Sequence, residues 1–208
     1  MEREFKAAEA AAAARRVAAA LKAGQAMLTE LDQAVGDGDL GVTAVKLAEA
    51  LESAADQEGA DLGKFLAQTG VSLNRAAPST MGTLVATALM QAGKRVVGKE
   101  SLSAADLTQL LNAATEAVRT RGKANLGDKT LLDALQPASD AFSAALSEGK
   151  SLPAAAEAMV AAARDGRDRV TPLRNRVGRA SWLGERTEGK VDPGCAFAVI
   201  VLAALASA

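Results

Sequence analysis

Histidine is missing altogether from this sequence of 208 residues, and so is tyrosine. No imidazole of the chain can act as general base, proton shuttle, covalent anchor or metal ligand. Any chemistry must come from carboxylates, backbone amides, hydroxyls, Lys, Arg, a bound metal, or a histidine on another chain. Cysteine occurs once, at Cys195, which excludes an intrachain disulfide framework and a multi-cysteine zinc site. It borders an apolar stretch, where packing is the ordinary role of a free thiol. Neither sign of charge is in excess: 24 basic against 25 acidic side chains leave a net charge of −1, too little to draw nucleic acid or an anionic membrane. Long hydrophobic runs are lacking too. The apolar stretch from Cys195 to Ala208 falls short of the roughly 20 residues that cross a bilayer. The start, Met1-Glu2-Arg3-Glu4, lacks the basic, apolar and cleavage regions of a signal peptide. A soluble cytoplasmic protein is expected, with neither nucleic-acid nor membrane partners.

What is present points to helices. Alanine dominates, aromatic residues make up 2% of the chain, and β-branched runs are short. Phe5, Val17, Leu21, Leu28 and Leu31 recur at near-helical spacing and predict a helix over Glu4 to Leu31, interrupted by Gly24. Further helices are predicted over Val42 to Ala55, Asp61 to Leu73 and Thr83 to Ala92. Another runs from the Ser103/Asp106 capping box to Arg121, and another from Lys129 to Glu148 with Pro137 as a kink. The last two run from Pro153 to Arg169 and from Ala196 to Ala206. Asp56 to Ala60 reads as a polar connection, and Gly178 to Gly194 as a long loop. The length suits one domain over residues 1–208, all-α, with seven or eight helices and a core of close-packed Ala, Leu and Val.

The glycine-punctuated loops are where function is expected. Asp32 lies on the last turn of the first helix, and Asp37 and Asp39 follow in Gly36-Asp37-Gly38-Asp39-Leu40-Gly41, which can fold back beside it. Were the three to meet without a cation, each pair of carboxylates near 4 Å would repel by about 4 kcal/mol at an effective dielectric of 20. A divalent ion reverses that sign, and oxygen-only ligands select a hard cation such as magnesium. The plainer alternative is that Asp37 and Asp39 cap the next helix and tolerate turn angles. Spacing alone leaves both open. The loop is not an EF-hand, because the twelve-residue ligand pattern and its closing Glu are missing.

The segment Leu31 to Thr43 resembles the metal-binding motif of dihydroxyacetone kinase nucleotide-binding subunits. Three further matches follow in order: Gly127-Asp128-Lys129-Thr130-Leu131-Leu132-Asp133-Ala134-Leu135, then Gly178 to Arg186, then Asp192-Pro193-Gly194. The resemblance spans nearly the whole chain. It implies a barrel of about eight antiparallel amphipathic helices with nucleotide in the loops at one end. It also implies that Asp32, Asp37 and Asp39 bind two magnesium ions bridging to ADP or ATP, and so carry the catalysis. Leu40, Gly41 and Thr43 are implied beside the phosphates, Gly122 and Leu131 at the adenine, and Arg179, Asp192, Pro193 and Gly194 around the rest. An ion pair with each other or at a helix end is the structural alternative for Arg179 and Asp192. The implied partner is a histidine-bearing subunit that holds dihydroxyacetone covalently. The phosphoryl group comes from ATP, or from bound ADP recharged by a phosphotransferase-system protein. A homodimer is left open.

Two positions depart from that pattern. Leu40 stands where the family commonly has His, and Ala76-Ala77-Pro78-Ser79-Thr80-Met81-Gly82 replaces a Ser-Gly loop that donates to phosphate. Pro78 removes one backbone donor, while Ser79 and Thr80 offer hydroxyls in exchange. These departures leave open a related small ketose as acceptor. They also keep an alternative in view, a non-catalytic module that senses nucleotide or docks on a transcription factor.

Overall fold

The computed structural model describes residues 5–57 and 61–207. The first residue of the predicted opening helix, Glu4, and the last three of the predicted connection, Glu58 to Ala60, lie outside the described residues. The helices are α1 (Ala7–Ala23), α2 (Gln25–Gln33), α3 (Leu40–Ala55), α4 (Leu62–Ala76) and α5 (Thr80–Lys94), then α6 (Ala104–Gly122), α7 (Leu131–Ser147), α8 (Leu152–Val170) and α9 (Pro193–Ala206). A 3-10 segment covers Arg179–Thr187. Two short strands, β1 (Phe5–Lys6) and β2 (Ser101–Leu102), pair antiparallel, with Phe5 opposite Leu102.

The packing closes on itself. Contacts run α1 to α3, α3 to α4, and so on in chain order to α9, which returns to α1, while α2 continues α1 and lies on α3 and α9. The fold is the all-α antiparallel barrel expected. Its amphipathic helices bury one stripe each, as α3 does with Leu40, Ala44, Leu47, Ala48 and Leu51. α9 is the exception, apolar all round and buried along most of its length between α1, α7 and α8. Among the described residues no helix is long and apolar enough to cross a membrane.

The predicted first helix divides at Gly24. A Cβ there would lie 2.8 Å from Ile200 Cδ1, so the glycine admits α9 at the junction of α1 and α2. α5 begins three residues earlier than the spacing suggested, because Ser79 caps it by accepting from Gly82 N at 3.1 Å. α7 begins at Leu131 rather than Lys129, because Thr130 and Asp133 form a capping box. α9 begins at Pro193, capped by Asp192, rather than at Ala196. The Ser103/Asp106 box stands as predicted. Helical structure continues through Pro137; the Asp133 carbonyl that proline cannot engage faces Gly166 of α8, where a Cβ would approach it to 2.1 Å.

Antiparallel alternation gathers the N-termini of α3, α5, α7 and α9 at one end, with connecting segments 34–39, 77–79, 123–130 and 171–192. The β1/β2 pair and a small second core of Ala10, Leu62, Val96 and Leu102 close the other end. The positive ends of four helix dipoles therefore face the same mouth, a setting that favours anions.

Candidate functional site

Asp32, Asp37 and Asp39 meet at this mouth, each offering a carboxylate oxygen within 4.8 Å of the others. Three local features bring them together. The turn after α2 is tight, since a Cβ on Gly36 would lie 2.8 Å from Asp32 Oδ1. Gly38 takes φ +79, open to glycine at no steric cost. Gly41 lets α3 start hard against α2, because a Cβ there would lie 2.0 Å from Thr29 Oγ1 and 2.5 Å from the Gln25 carbonyl. Asp32 Oδ2 accepts from Leu40 N at 3.1 Å, which fixes its carboxylate at the start of α3. Asp39 occupies the N-cap position of α3, but its side chain makes no capping bond and stays free to face the cluster. Partial burial raises the Asp39 pKa, and repulsion from Asp32 adds to this against the opposing pull of Lys46. The capping alternative therefore fails for Asp39, whereas clustering is what the geometry gives.

A cation already answers the cluster. Arg179 donates Nη1 to Asp37 Oδ2, and its Nη2 lies 3.3 Å from Asp39 Oδ2. Lys190 Nζ donates to the Ala34 carbonyl at 2.9 Å, so the 178–190 arm lies over the acidic turn at two points. An Arg179–Asp192 ion pair is not formed. Asp192 is 6% exposed and is spent on structure: its Oδ1 accepts from Cys195 N at 2.8 Å and its Oδ2 from Asn175 Nδ2 at 2.8 Å. Burial raises the pKa of Asp192, and it also pushes the Cys195 thiol far above its usual range, in keeping with a packing role for that residue.

The other expected residues line the same mouth in two groups. Thr43, buried in the first turn of α3, donates Oγ1 to Ser79 Oγ at 3.4 Å, while Thr80 is exposed at the first position of α5. Leu40 and Gly41 are buried against α2. In the second group, a Cβ on Gly194 would fall 3.2 Å from Leu131 N and 3.4 Å from Met81 Cε, which sets the N-termini of α5, α7 and α9 side by side. Leu131 is 7% exposed and Pro193 is buried. Gly122 ends α6 beside Leu84 of α5, a Cβ there meeting Leu84 Cδ2 at 3.5 Å.

The sequence reading assigned no role to Lys129, Asn175 or Thr187, yet all three are buried together next to Asp192. Lys129 adopts φ +59, unusual for a residue with a Cβ. Burial lowers its pKa, opposed mainly by the charge of Asp192. Lys129 lies inside the Gly127 to Leu135 motif and is predicted as the start of a helix, but nothing in that pattern shows that its side chain is buried.

The DAK2 domain model matches residues 34–207. The chain belongs to the DAK2 domain family. Within that family it is similar to the ADP-binding subunit DhaL of PEP-dependent dihydroxyacetone kinase from Escherichia coli K12, 32% identical over 185 residues and 87% of each chain. The corresponding subunit of kinase 1 from Listeria innocua is 31% identical over 180 residues, covering 86% of this chain and 85% of that one. The resemblance to dihydroxyacetone kinase nucleotide-binding subunits is thus borne out. An L-erythrulose kinase from Pectobacterium atrosepticum is 32% identical over 210 residues, which is 94% of this chain but 35% of that protein. The crystal structure of the dihydroxyacetone kinase of C. freundii superposes with a TM-score of 0.73 at 28% identity, covering 95% of this chain. The same kinase in complex with AMP-PNP and Mg2+ gives a TM-score of 0.71 at 26% identity. This chain spans about a third of those kinase chains (34% and 33%).

Proposed function

We propose that this protein is the nucleotide-binding subunit of a dihydroxyacetone-type kinase, acting in the cytoplasm as one domain over residues 1–208. The observation that carries the reading is the meeting of Asp32, Asp37 and Asp39 at the mouth where four helix N-termini converge. Three carboxylates so close repel one another, and Arg179 bonds only Asp37 and Asp39 of the three, so a further cation shared by all of them is favoured. Their all-oxygen donor set fits magnesium, and two ions are proposed there. Bound magnesium would neutralise charge on the transferring phosphoryl group.

The chain's own groups supply the rest. Thr43, Ser79 and Thr80 offer hydroxyls to phosphate oxygens beside the positive ends of α3 and α5, and Leu40 and Gly41 form the floor beneath them. Arg179, already facing the acidic turn, supplies a planar cation for a phosphate. Leu131 and Gly122 border the adenine, with Pro193 and Gly194 beside Leu131. Asp192 acts from behind, by holding the start of α9.

The acceptor, dihydroxyacetone or a related short ketose, is proposed to be held by the histidine of a partner subunit, as the resemblance implies, and a chain without histidine is compatible with that division of labour. The L-erythrulose kinase among the relatives supports the wider acceptor class. The E. coli and Listeria relatives are named ADP-binding and PEP-dependent, which favours a bound ADP recharged by a phosphotransferase-system protein.

Calorimetry with Mg–ADP tests this directly. Saturable binding is expected, with Asp37→Asn weakening it sharply at unchanged helical content; equal affinity of the variant would remove the metal assignment. ADP that survives purification and dialysis supports the relay, whereas rapid exchange would point to free ATP as donor. An assay with the substrate-binding subunit and a panel of ketoses then separates an enzyme subunit from a nucleotide sensor.

A further inference from the structure

We propose that Lys129 is a positioning residue for this site: its buried ammonium pins the segment 171–187 so that Arg179 is held over Asp37 and Asp39. The proposal rests on the nucleotide-binding function above. Lys129 is 0% exposed, a setting lysine occupies only when its charge and donors are answered. Its three N–H groups are each taken by a backbone carbonyl, those of Thr171 at 2.9 Å, Leu173 at 2.7 Å and Thr187 at 2.7 Å. All three acceptors lie beyond the end of α8, none of them within an α-helix. Two stand where the arm leaves α8 and the third where the 3-10 segment ends, so one cation ties the two ends of the arm together.

A second set of bonds secures the same knot. Asn175, 3% exposed, donates Nδ2 to the Lys129 carbonyl at 2.6 Å and to Asp192, and its N–H donates to Thr187 Oγ1 at 3.0 Å. Asp192 in turn caps α9. The arm is therefore fastened at its base to the starts of α7 and α9, while between the fastenings Arg179 projects to the acidic turn. A lysine serving only the helix ring would bond to helices; this one bonds to the arm.

The test combines a binding cycle with a local probe. Mg–ADP affinity is measured for the wild-type chain, Lys129→Met, Arg179→Ala and the double variant. Trp182, the single tryptophan, is 86% exposed on the arm and reports its mobility by fluorescence anisotropy. The expected result is that Lys129→Met weakens binding about tenfold or more, the scale of losing an outer support of a metal site. The same change should add nothing in the Arg179→Ala background, because one acts through the other. Anisotropy of Trp182 should fall while helical content is kept. Additive losses, unchanged affinity or unchanged anisotropy would overturn the proposal. If Lys129→Met does not fold, Asn175→Ala replaces it in the same cycle, and failure of both to fold would make Lys129 a general fold element and overturn it too. A wild-type chain that binds no Mg–ADP would sink the functional reading and the role in that site, whereas the anisotropy bears on the clamp alone.

Discussion

Arg179 and Asp37, separated by 142 positions in sequence, are bonded side chain to side chain at the barrel mouth. The contact joins the last loop before α9 to the turn after α2, and it sets a cation against an acidic cluster that would otherwise repel itself. Both side chains are about half exposed, at 51% and 49%, so the pair contributes within the roughly 0–1 kcal/mol of surface ion pairs.

Removing the arginine therefore has a modest, salt-dependent effect on stability. Arg179→Ala is expected to lower Tm slightly at low ionic strength, with recovery on adding Mg2+ or raising salt, since either one screens the carboxylates. Thermal melts across a salt series check this. A loss that magnesium does not repair would contradict the shared-cation picture.

Gly41 is expected to tolerate no side chain. In Gly41→Ala the new Cβ meets Thr29 Oγ1 and the Gln25 backbone oxygen at 2.0 and 2.5 Å, which forces α3 off α2 and spreads Asp32 from Asp39. Overpacking of this kind costs about 1–3 kcal/mol. Gly122→Ala is the contrast, its Cβ meeting only Leu84 at an ordinary 3.5 Å. Urea unfolding should show a clear loss for the first and little or none for the second.

Ser79 combines a cap with a place at the mouth. Ser79→Ala removes the oxygen that accepts from Gly82 N, and a loss of about 1 kcal/mol is expected by denaturant titration. Mg–ADP affinity should fall as well if its hydroxyl meets phosphate. A stability loss with affinity unchanged would confine Ser79 to capping.

At the far end of the barrel, one source of acid sensitivity is the Asp106 carboxylate. The Lys99 ammonium bonded to Asp106, followed by the Ser103 amide and hydroxyl, holds the Asp106 pKa below its ordinary value against the cost of burial. A depressed folded pKa contributes stability above the unfolded value of about 3.9, and that contribution is lost as pH falls through the folded one. Lys99→Met should raise the folded pKa and move the acid unfolding midpoint, followed by circular dichroism, to higher pH. An unmoved midpoint would show that the pair contributes nothing.

Much of the architecture was legible from local signals. Alanine-rich periodicity located the helices, the Ser103/Asp106 box and Pro153 marked two starts, and the Gly-Asp turn placed the acidic residues at a helix end. The boundaries that shifted did so for tertiary reasons. Gly24 breaks a helix because α9 passes close by, and Thr80 and Leu131 begin helices because Ser79 and Thr130 cap them. The β1/β2 pair was invisible, since two residues on each strand carry no period. Within the site, the convergence of Asp32, Asp37 and Asp39 followed from spacing and resemblance, but the partner of Arg179 did not. That pairing depends on how the 171–192 segment folds, where Lys129 and Asn175 bond to backbone carbonyls distant in sequence, partners that the motif around Lys129 does not reveal.

The central claim is that the three aspartates share divalent metal with a bound nucleotide. Crystals grown with Mn2+ and ADP, measured at the manganese absorption edge, test it most directly. The account predicts anomalous density bounded by Asp32, Asp37 and Asp39, and continuous with the diphosphate, with Arg179 turned toward phosphate oxygens. Ordered ADP with no anomalous density among those carboxylates would contradict it.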